Sequence, residues 1–410
     1  MGRMVLVGLA LAWGMTSGAQ PHSGDIDGDN ALSLAELLRV VQLYNAEGLH
    51  CETGTEDGFG PGSGGDTTCG AHASDYAPQD WSLSLGELLR AVQLYNQGNF
   101  HACTNGTEGD GWCLGASPKL YVGLMVHLEG RPTNTLIRHI GNRDAILAYA
   151  DIFDEYGAKP TWEAKEQLAS CIEFDDPYFL GLQARGHGVG VHADLGGSLT
   201  LPYTQEEFVT DLIFKKVQLE SQGVTVRHTS GICSHLDWQA AAVDAGFQFT
   251  TGLVSYCVLS LPEELRPEAY ADCTSPAICH DLFPEDMESR MHPWRGDMDN
   301  WMLHDPDGPL VNLTAAIEGL IHLVDESSEP TFTEQDVDAY FTLLDEALTL
   351  ARPNEVNVFY LSWSYGSELD TTVLRSWLSR LNAYVEDGRV EWKSLPEVYD
   401  LYLTWEASQS

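Results

Sequence analysis

The runs VHLEG (126–130) and GHGVGVHADLG (186–196) decide how this chain is read. Each closes a strand-like apolar stretch with a His-x-acid pair: His127 with Glu129, and His192 with Asp194. Side chains two apart on a strand point to the same face. Two neighbouring parallel strands ending this way bring two imidazoles and two carboxylates together. That donor set suits a zinc ion or another divalent transition metal.

Outward from these runs, strands and helices alternate from about Lys119. KLYVGLMVHLE reads as a strand, NRDAILAYADIFDEY as a helix closed by Gly157, and GHGVGVH as a strand. Thr204 and Glu207 have capping-box spacing at the start of the helix FVTDLIFKKVQLE. VTVRHTSG, FQFTTGLV and NEVNVFYLSWSYG follow as strands, with HLDWQAAAVDAG, EQDVDAYFTLLDEAL and TTVLRSWLSRLNAYV as helices. Such alternation implies an α/β domain with parallel strands, doubly wound or closed as a β/α barrel. Function is then expected at the C-terminal ends of the strands, where both His-x-acid pairs fall.

The N-terminal third reads differently. ALSLAELLRVVQLYN, ending at Asn45, recurs as SLSLGELLRAVQLYN, ending at Asn96, an offset of 51 residues (96 − 45). Apolar residues keep helical spacing in both copies: Leu34, Leu37, Leu38, Val41 and Tyr44, then Leu85, Leu88, Leu89, Val92 and Tyr95. Before the first helix stands DIDGDNALSLAE (25–36). Asp25, Asp27 and Asp29 occupy alternating loop positions, followed by the Ala31 carbonyl, the Ser33 side chain and the closing carboxylate of Glu36. Hard cations take oxygen ligands at that spacing. The pattern resembles the calcium loop of dockerin and EF-hand modules, which implies Ca2+ and a cohesin-like partner. Asn30 stands where an EF-hand has glycine. In the second copy Tyr76 and Pro78 replace the first two ligands, leaving a degenerate repeat. The copies also stand farther apart than those of a true dockerin.

Residues 1–19 read as a secretory signal: Arg3, an apolar run from Val5 to Trp13, and the small residues Ser17, Gly18 and Ala19. The expected order is signal peptide (1–19), repeat one (20–68), repeat two (69–116) and barrel (117–410). The expected location is secreted, periplasmic or at the cell surface, with no integral membrane segment once the signal is removed. The chain carries 61 acidic against 21 basic residues, a net charge of −40, so it has no basic footprint for nucleic acid. Nine cysteines in an exported chain suggest disulfides. Spacing suggests Cys51 with Cys69, Cys103 with Cys113 and Cys273 with Cys279. Cys171, Cys233 and Cys257 remain, and the odd count leaves one thiol unpaired.

The order VHLEG, YGAKPTWEA, GHGVGVHADLG and VRHTSG resembles the polysaccharide deacetylase family over about Leu120–Gly231, and GRVEWKSLPEVYDLY resembles that family's closing segment. The resemblance implies a distorted seven-stranded β/α barrel that deacylates a carbohydrate with a bound metal. It puts Glu129 and His192 in metal-ligand positions, and Arg227 in the place of an arginine that orients the catalytic carboxylate. Leu128 stands where the family has its general base, and Gly196 where it has a second metal histidine. His127 is then the replacement ligand, and Asp194 a fourth ligand or the base.

Elsewhere, Trp294 and Trp301 in MHPWRGDMDNWMLHDPDG (291–308) are candidates for a sugar platform. His228, His235 and Asp237 line the same mouth or cap the next helix. Asn105 and Asn312 head glycosylation sequons. The expected activity is an exported, metal-dependent carbohydrate hydrolase. The alternatives are an inactive deacetylase-like barrel used for carbohydrate binding or surface display, and a glycoside hydrolase with Glu129 and Asp194 as its carboxylates.

Overall fold

The structure is a computed structural model describing residues 22–103, 109–115, 117–196, 204–275, 278–321, 331–366 and 369–409. The signal-like leader and Asn105 lie outside these residues. The chain divides into two compact units, Met1–Ser117 and Pro118–Ser410.

In the first unit each repeat is a helix followed by a two-stranded antiparallel ladder. The first has α1 (Leu34–Asn45), β1 (Leu49–Cys51) and β2 (Phe59–Pro61). The second has α2 (Leu85–Gln97), β3 (Phe100–Ala102) and β4 (Trp112–Leu114). Ser33 with Glu36, and Ser84 with Glu87, form complete capping boxes that stop each helix at its sequence-marked start. The copies interlock reciprocally: Leu49 N–H donates to the Trp81 carbonyl and Phe100 N–H to that of Asn30, each at 2.9 Å. Leu37, Val40 and Leu43 face the core with Ala91, Leu94, Phe100 and Trp112. Leu34, Leu38, Leu85 and Leu89 are exposed instead, so the buried stripe is rotated from the one that spacing suggested.

The second unit follows the alternation expected of it. Its elements run β5 (Leu120–Leu128), α3 (Leu136–Glu155), β6 (Thr161–Ala164), α4 (Gln167–Glu173), α5 (Tyr178–Ala184) and β7 (Gly188–His192). Next come α6 (Gln205–Glu220), β8 (His228–Ser230), α7 (Trp238–Asp244) and β9 (Phe249–Thr251). After them stand α8 (Met287–Arg290), β10 (Trp294–Arg295), β11 (Val311–Leu313), β12 (Ile317–Gly319), α9 (Glu334–Leu350), β13 (Asn357–Ser364), α10 (Thr371–Glu386), β14 (Val390–Trp392) and α11 (Leu395–Gln409).

One sheet runs in the order β10-β11-β9-β8-β7-β6-β5-β13-β12, with β14 also on β5. All its pairings are parallel except that of β10 with β11. Among the described residues the sheet has ten strands, against the seven expected, for three local reasons. The stretch from Val311 to Gly319 is split, pairing first with β9 and then with β13. β14 shares one edge of β5 with β6, taking Leu120–Val122 while β6 takes Met125–Leu128. β10 is a two-residue addition. Apart from the half-buried Tyr121 and His127, every residue of β5 is buried, as expected of a parallel strand covered on both sides.

Four disulfides join described residues: Cys51–Cys69, Cys103–Cys113, Cys233–Cys257 and Cys273–Cys279. Cys171 is the buried free thiol. No helix among the described residues is long and apolar enough to cross a membrane. Asn312 is fully buried in β11, so its sequon offers no accessible acceptor in the folded chain.

Candidate metal centre at the barrel mouth

Strand register assembles the site. His127 on β5 is the cross-strand partner of Glu163 on β6, which is the partner of Gly190 on β7. Two residues further along β7, His192 is the partner of Ser230 on β8. On the other side of β5, Ser364 of β13 is the partner of His127. All lie toward the C-terminal ends of parallel strands, where loops leave a cavity of about 250 Å³. Its walls include His127, Glu129, His192, Asp194, Tyr256 and His280.

His127, Glu129 and His192 each offer a ligand atom, and these atoms lie within 4.8 Å of one another. The two imidazole rings stack at 4.1 Å with their planes 18° apart. The His127 Nε2 lies 3.2 Å from Glu163 Oε2. The His192 Nδ1 lies 2.8 Å from Ser230 Oγ, and that hydroxyl donates to Glu163 Oε2. A serine hydroxyl has one proton, so Ser230 accepts from His192 Nδ1–H while donating to Glu163. The second nitrogen of a neutral His192, Nε2, then carries a lone pair, and it faces Glu129 Oε2 at 3.4 Å. A neutral His127 donating through Nε2 to Glu163 would keep its lone pair on Nδ1. Acceptor facing acceptor is the arrangement that a divalent cation completes, so the residues fit one.

The charge states agree with this. Burial, and then the neighbouring His127, push His192 below its ordinary value of 6.5, so the ring is neutral at pH 7. Glu129 is held well below the usual carboxylate range by its neighbour His192, against burial, and further by Lys165 and Ser364. Metal ligands must be deprotonated, as the directions for His192 and Glu129 favour.

Beneath the mouth, Glu163 is fully buried. Its Oε1 accepts from Thr251 Oγ1 at 2.7 Å and faces His228 Nε2 at 3.3 Å. Burial opposes its charge, but His127 and His228 outweigh burial and hold its pKa well below the usual range. His228 fits there because Gly190 has no side chain: a Cβ at Gly190 would stand 2.1 Å from His228 Nε2.

Asp194 adopts a left-handed backbone (φ 48°) and turns to Lys165, whose Nζ lies 2.6 Å from its Oδ2 and 3.2 Å from Glu129 Oε2. It borders the cavity but stands outside the His127, Glu129 and His192 group. Gly196, where the sequence resemblance placed a missing metal histidine, has no room for any side chain. A Cβ there would lie 1.4 Å from the Cys233 carbonyl oxygen.

Four sequence candidates fall elsewhere. Arg227 precedes β8, at the opposite end of the strand from the mouth. It is bidentate to Asp400 at 2.6 and 2.9 Å and lies over the Tyr399 ring, so it fastens α11 and orients no catalytic group. Trp301 is buried against Trp238 and Phe283, and Trp294 Nε1–H donates to the Trp301 carbonyl at 2.8 Å. Neither lines the cavity; the apolar area of both rings is used in packing rather than shown to a sugar. Asp237 caps α7.

In the N-terminal loop, Asp25, Asp27 and Asp29 converge within 4.8 Å, but Glu36 is not among them. Its Oε1 accepts from Ile26 N–H at 2.6 Å and its Oε2 from Ser33 N–H at 2.7 Å. Ser33 Oγ is the helix cap, accepting from Glu36 N–H. In the second repeat Asp75, rather than Tyr76, takes the place of Asp25, because that loop is one residue longer: Asp75 accepts from Asp80 and Trp81 N–H. Glu87 repeats Glu36, accepting from Tyr76, Ala77 and Ser84 N–H.

The sequence did not single out Glu163, Ser230, Thr251, Lys165 or Ser364. The available signal was an acidic residue inside the apolar run PTWEA, since a buried charge in a strand requires partners.

No protein-family model matches the chain, and no curated protein matches it significantly in sequence. Among solved structures, the chain is similar to one titled a polysaccharide deacetylase from Mycobacterium smegmatis (13% identity, 74% of this chain and 94% of that one, TM-score 0.45). It is also similar to the allantoinase Puue (8% identity, 69% and 90%, TM-score 0.45). A third likeness is to a structure titled a polysaccharide deacetylase from Pseudomonas aeruginosa PAO1 (10% identity, 69% and 90%, TM-score 0.41).

Proposed function

We propose that the barrel unit is a metal-dependent hydrolase that removes acyl groups from a carbohydrate. The observation carrying this reading is the convergence of ligand atoms from His127, Glu129 and His192 within 4.8 Å of one another, above the Glu163 floor. Zn2+ or a similar ion held there would supply Lewis-acid chemistry at a carbonyl. Two imidazoles and one carboxylate leave open positions for substrate, as a catalytic site requires. Asp194, steered by Lys165, stands at the rim where a base for the attacking water is needed, and it replaces the carboxylate lost at Leu128. Tyr256 and His280 wall the cavity where a sugar ring would enter.

The proposal includes export, supported by the signal-like leader and the disulfides. It also includes a Ca2+ loop formed by Asp25, Asp27 and Asp29, with Glu36 as a helix cap rather than a ligand. A cohesin-like partner belongs to the dockerin resemblance alone.

The test is release of acetate from acetylated glycans by the full chain, with and without a chelator. Chelator-sensitive release supports the reading; no release at any metal loading overturns it. A second reading, a sugar-binding barrel without catalysis, is favoured by one pair of observations. Leu128 supplies no base, and Asp194 is already ion-paired. It predicts that glycan binding is unchanged when His127 and His192 become Ala.

A further inference from the structure

We infer that Glu163 is the positioning residue of the metal centre: one buried carboxylate anchors both imidazole ligands and fixes which nitrogen each presents. The inference rests on the reading of the mouth as a metal site and adds what sets its affinity.

Both histidines lead to the same group. His127 reaches Glu163 Oε2 directly through Nε2 at 3.2 Å. His192 reaches the same oxygen through Ser230, with Nδ1 2.8 Å from Oγ and the hydroxyl donating onward. Thr251 Oγ1–H donates to Oε1 at 2.7 Å, which keeps the carboxylate plane from rotating. The side chain is fully buried, so no water competes for these bonds.

The backbone is built to place it. Glu163 stands between His127 and Gly190 in register, and Gly190 leaves the space that lets the His228 ring close the fourth side. A carboxylate or carbonyl on the far nitrogen of a ligating histidine fixes its tautomer and ring plane. Here a single carboxylate does so for two rings stacked 4.1 Å apart. Their orientations are therefore coupled, and disturbing Glu163 should disturb both ligands together.

The experiment compares the full-length protein with Glu163→Gln and Ser230→Ala, each freed of metal and titrated with Zn2+ against a chromophoric chelator, and with Co2+ followed by its visible absorption. The expected result is a loss of Zn2+ affinity of about 10–100-fold for Glu163→Gln, the range for removal of such an outer partner. Ser230→Ala, which cuts only the His192 branch, should lose less, and both should shift the Co2+ spectrum. A parent that binds Zn2+ with folded variants that bind it equally, and with the same Co2+ spectrum, overturns the inference alone. A parent that takes up neither ion overturns the reading of the mouth, and this inference with it.

Should Glu163→Gln fail to fold, imidazole 15N spectra of the metal-free parent decide. Protonated Nε2 on His127 and protonated Nδ1 on His192 are expected. Either ring in the other tautomer overturns the inference.

Discussion

The barrel mouth and the three-aspartate loop both announce an ion site in the sequence, but they keep their donors in opposite conditions. In the mouth, Glu163 and Ser230 engage the inner nitrogen of each histidine, which leaves the outer nitrogen of a neutral ring for an ion. In the loop, the acids are already engaged from within. Asp25 accepts from Gly28, Asp29 and Asn30 N–H, and Glu36 from Ile26, Asp27 and Ser33 N–H. The second repeat closes its loop with Asp75 and Glu87 in the same way, although of the flanking acids it keeps only Asp80 and has none in the place of Asp27. Two of the acids that look like calcium ligands are thus part of the turn itself. Ligand spacing alone does not say which acids meet an ion and which hold the turn.

The largest effect expected is at the mouth. His127→Ala with His192→Ala should abolish metal uptake and lower acyl release by about a thousandfold or more, the scale of several kcal/mol of lost charge stabilisation. Metal analysis and hydrolysis rates measure both. Retained hydrolysis would put the chemistry elsewhere.

Gly196→His, which writes in the histidine that the sequence resemblance led one to expect there, should restore nothing. The new side chain would meet the Cys233 carbonyl, so we expect a destabilisation of roughly 3 kcal/mol or more, from overpacking against backbone. Urea melts read this, and a stable variant with higher activity would contradict the packing account.

Acid separates the two units by a different route. In the N-terminal unit, burial lowers His72 from 6.5 to about 4 and, helped by His72, His22 from 6.5 to about 3. Above 6.5 both states of the protein hold these rings neutral, and they cost nothing. Below 6.5 the unfolded chain takes up protons that the folded unit refuses, so stability falls until the folded values are reached. For His72 alone the loss approaches roughly 3 kcal/mol by pH 4. Thermal melts of the full chain should show it, and His72→Phe should flatten the slope. A pH-independent N-terminal transition would refute the burial argument.

The smallest effects divide the loop itself. Glu36→Ala and Glu87→Ala should each cost about 1 kcal/mol with or without Ca2+, the worth of a lost helix cap. Asp27→Ala should matter only when Ca2+ is present at about 0.1–1 mM, the range for weak extracellular sites. Calorimetric titration beside melts distinguishes them. A Ca2+-dependent loss in Glu36→Ala would return that residue to the ligand set.

Much of this was legible in the sequence because local patterns carried it. The alternation of apolar strands with capped helices gave the α/β order, and His-x-acid spacing brought His127, Glu129 and His192 together. What was hidden depends on register between distant strands. Glu163 acquires its role only because β6 lies beside β5 with residue 163 opposite 127, which no local pattern states. Arg227 failed for a related reason: it sits one residue before its strand, at the end away from the mouth. Trp301 failed because an aromatic ring serves a core as readily as a sugar. The loop in repeat two was misaligned because one inserted residue moved Asp75 into the place that the 51-residue offset gave to Tyr76.

The most direct test of the central claim is the metal content of the full chain, purified without chelators, beside that of His127→Ala with His192→Ala. The account predicts one transition-metal ion per parent chain and none in the double variant. A metal-free parent, or a double variant that holds the same ion, would contradict it.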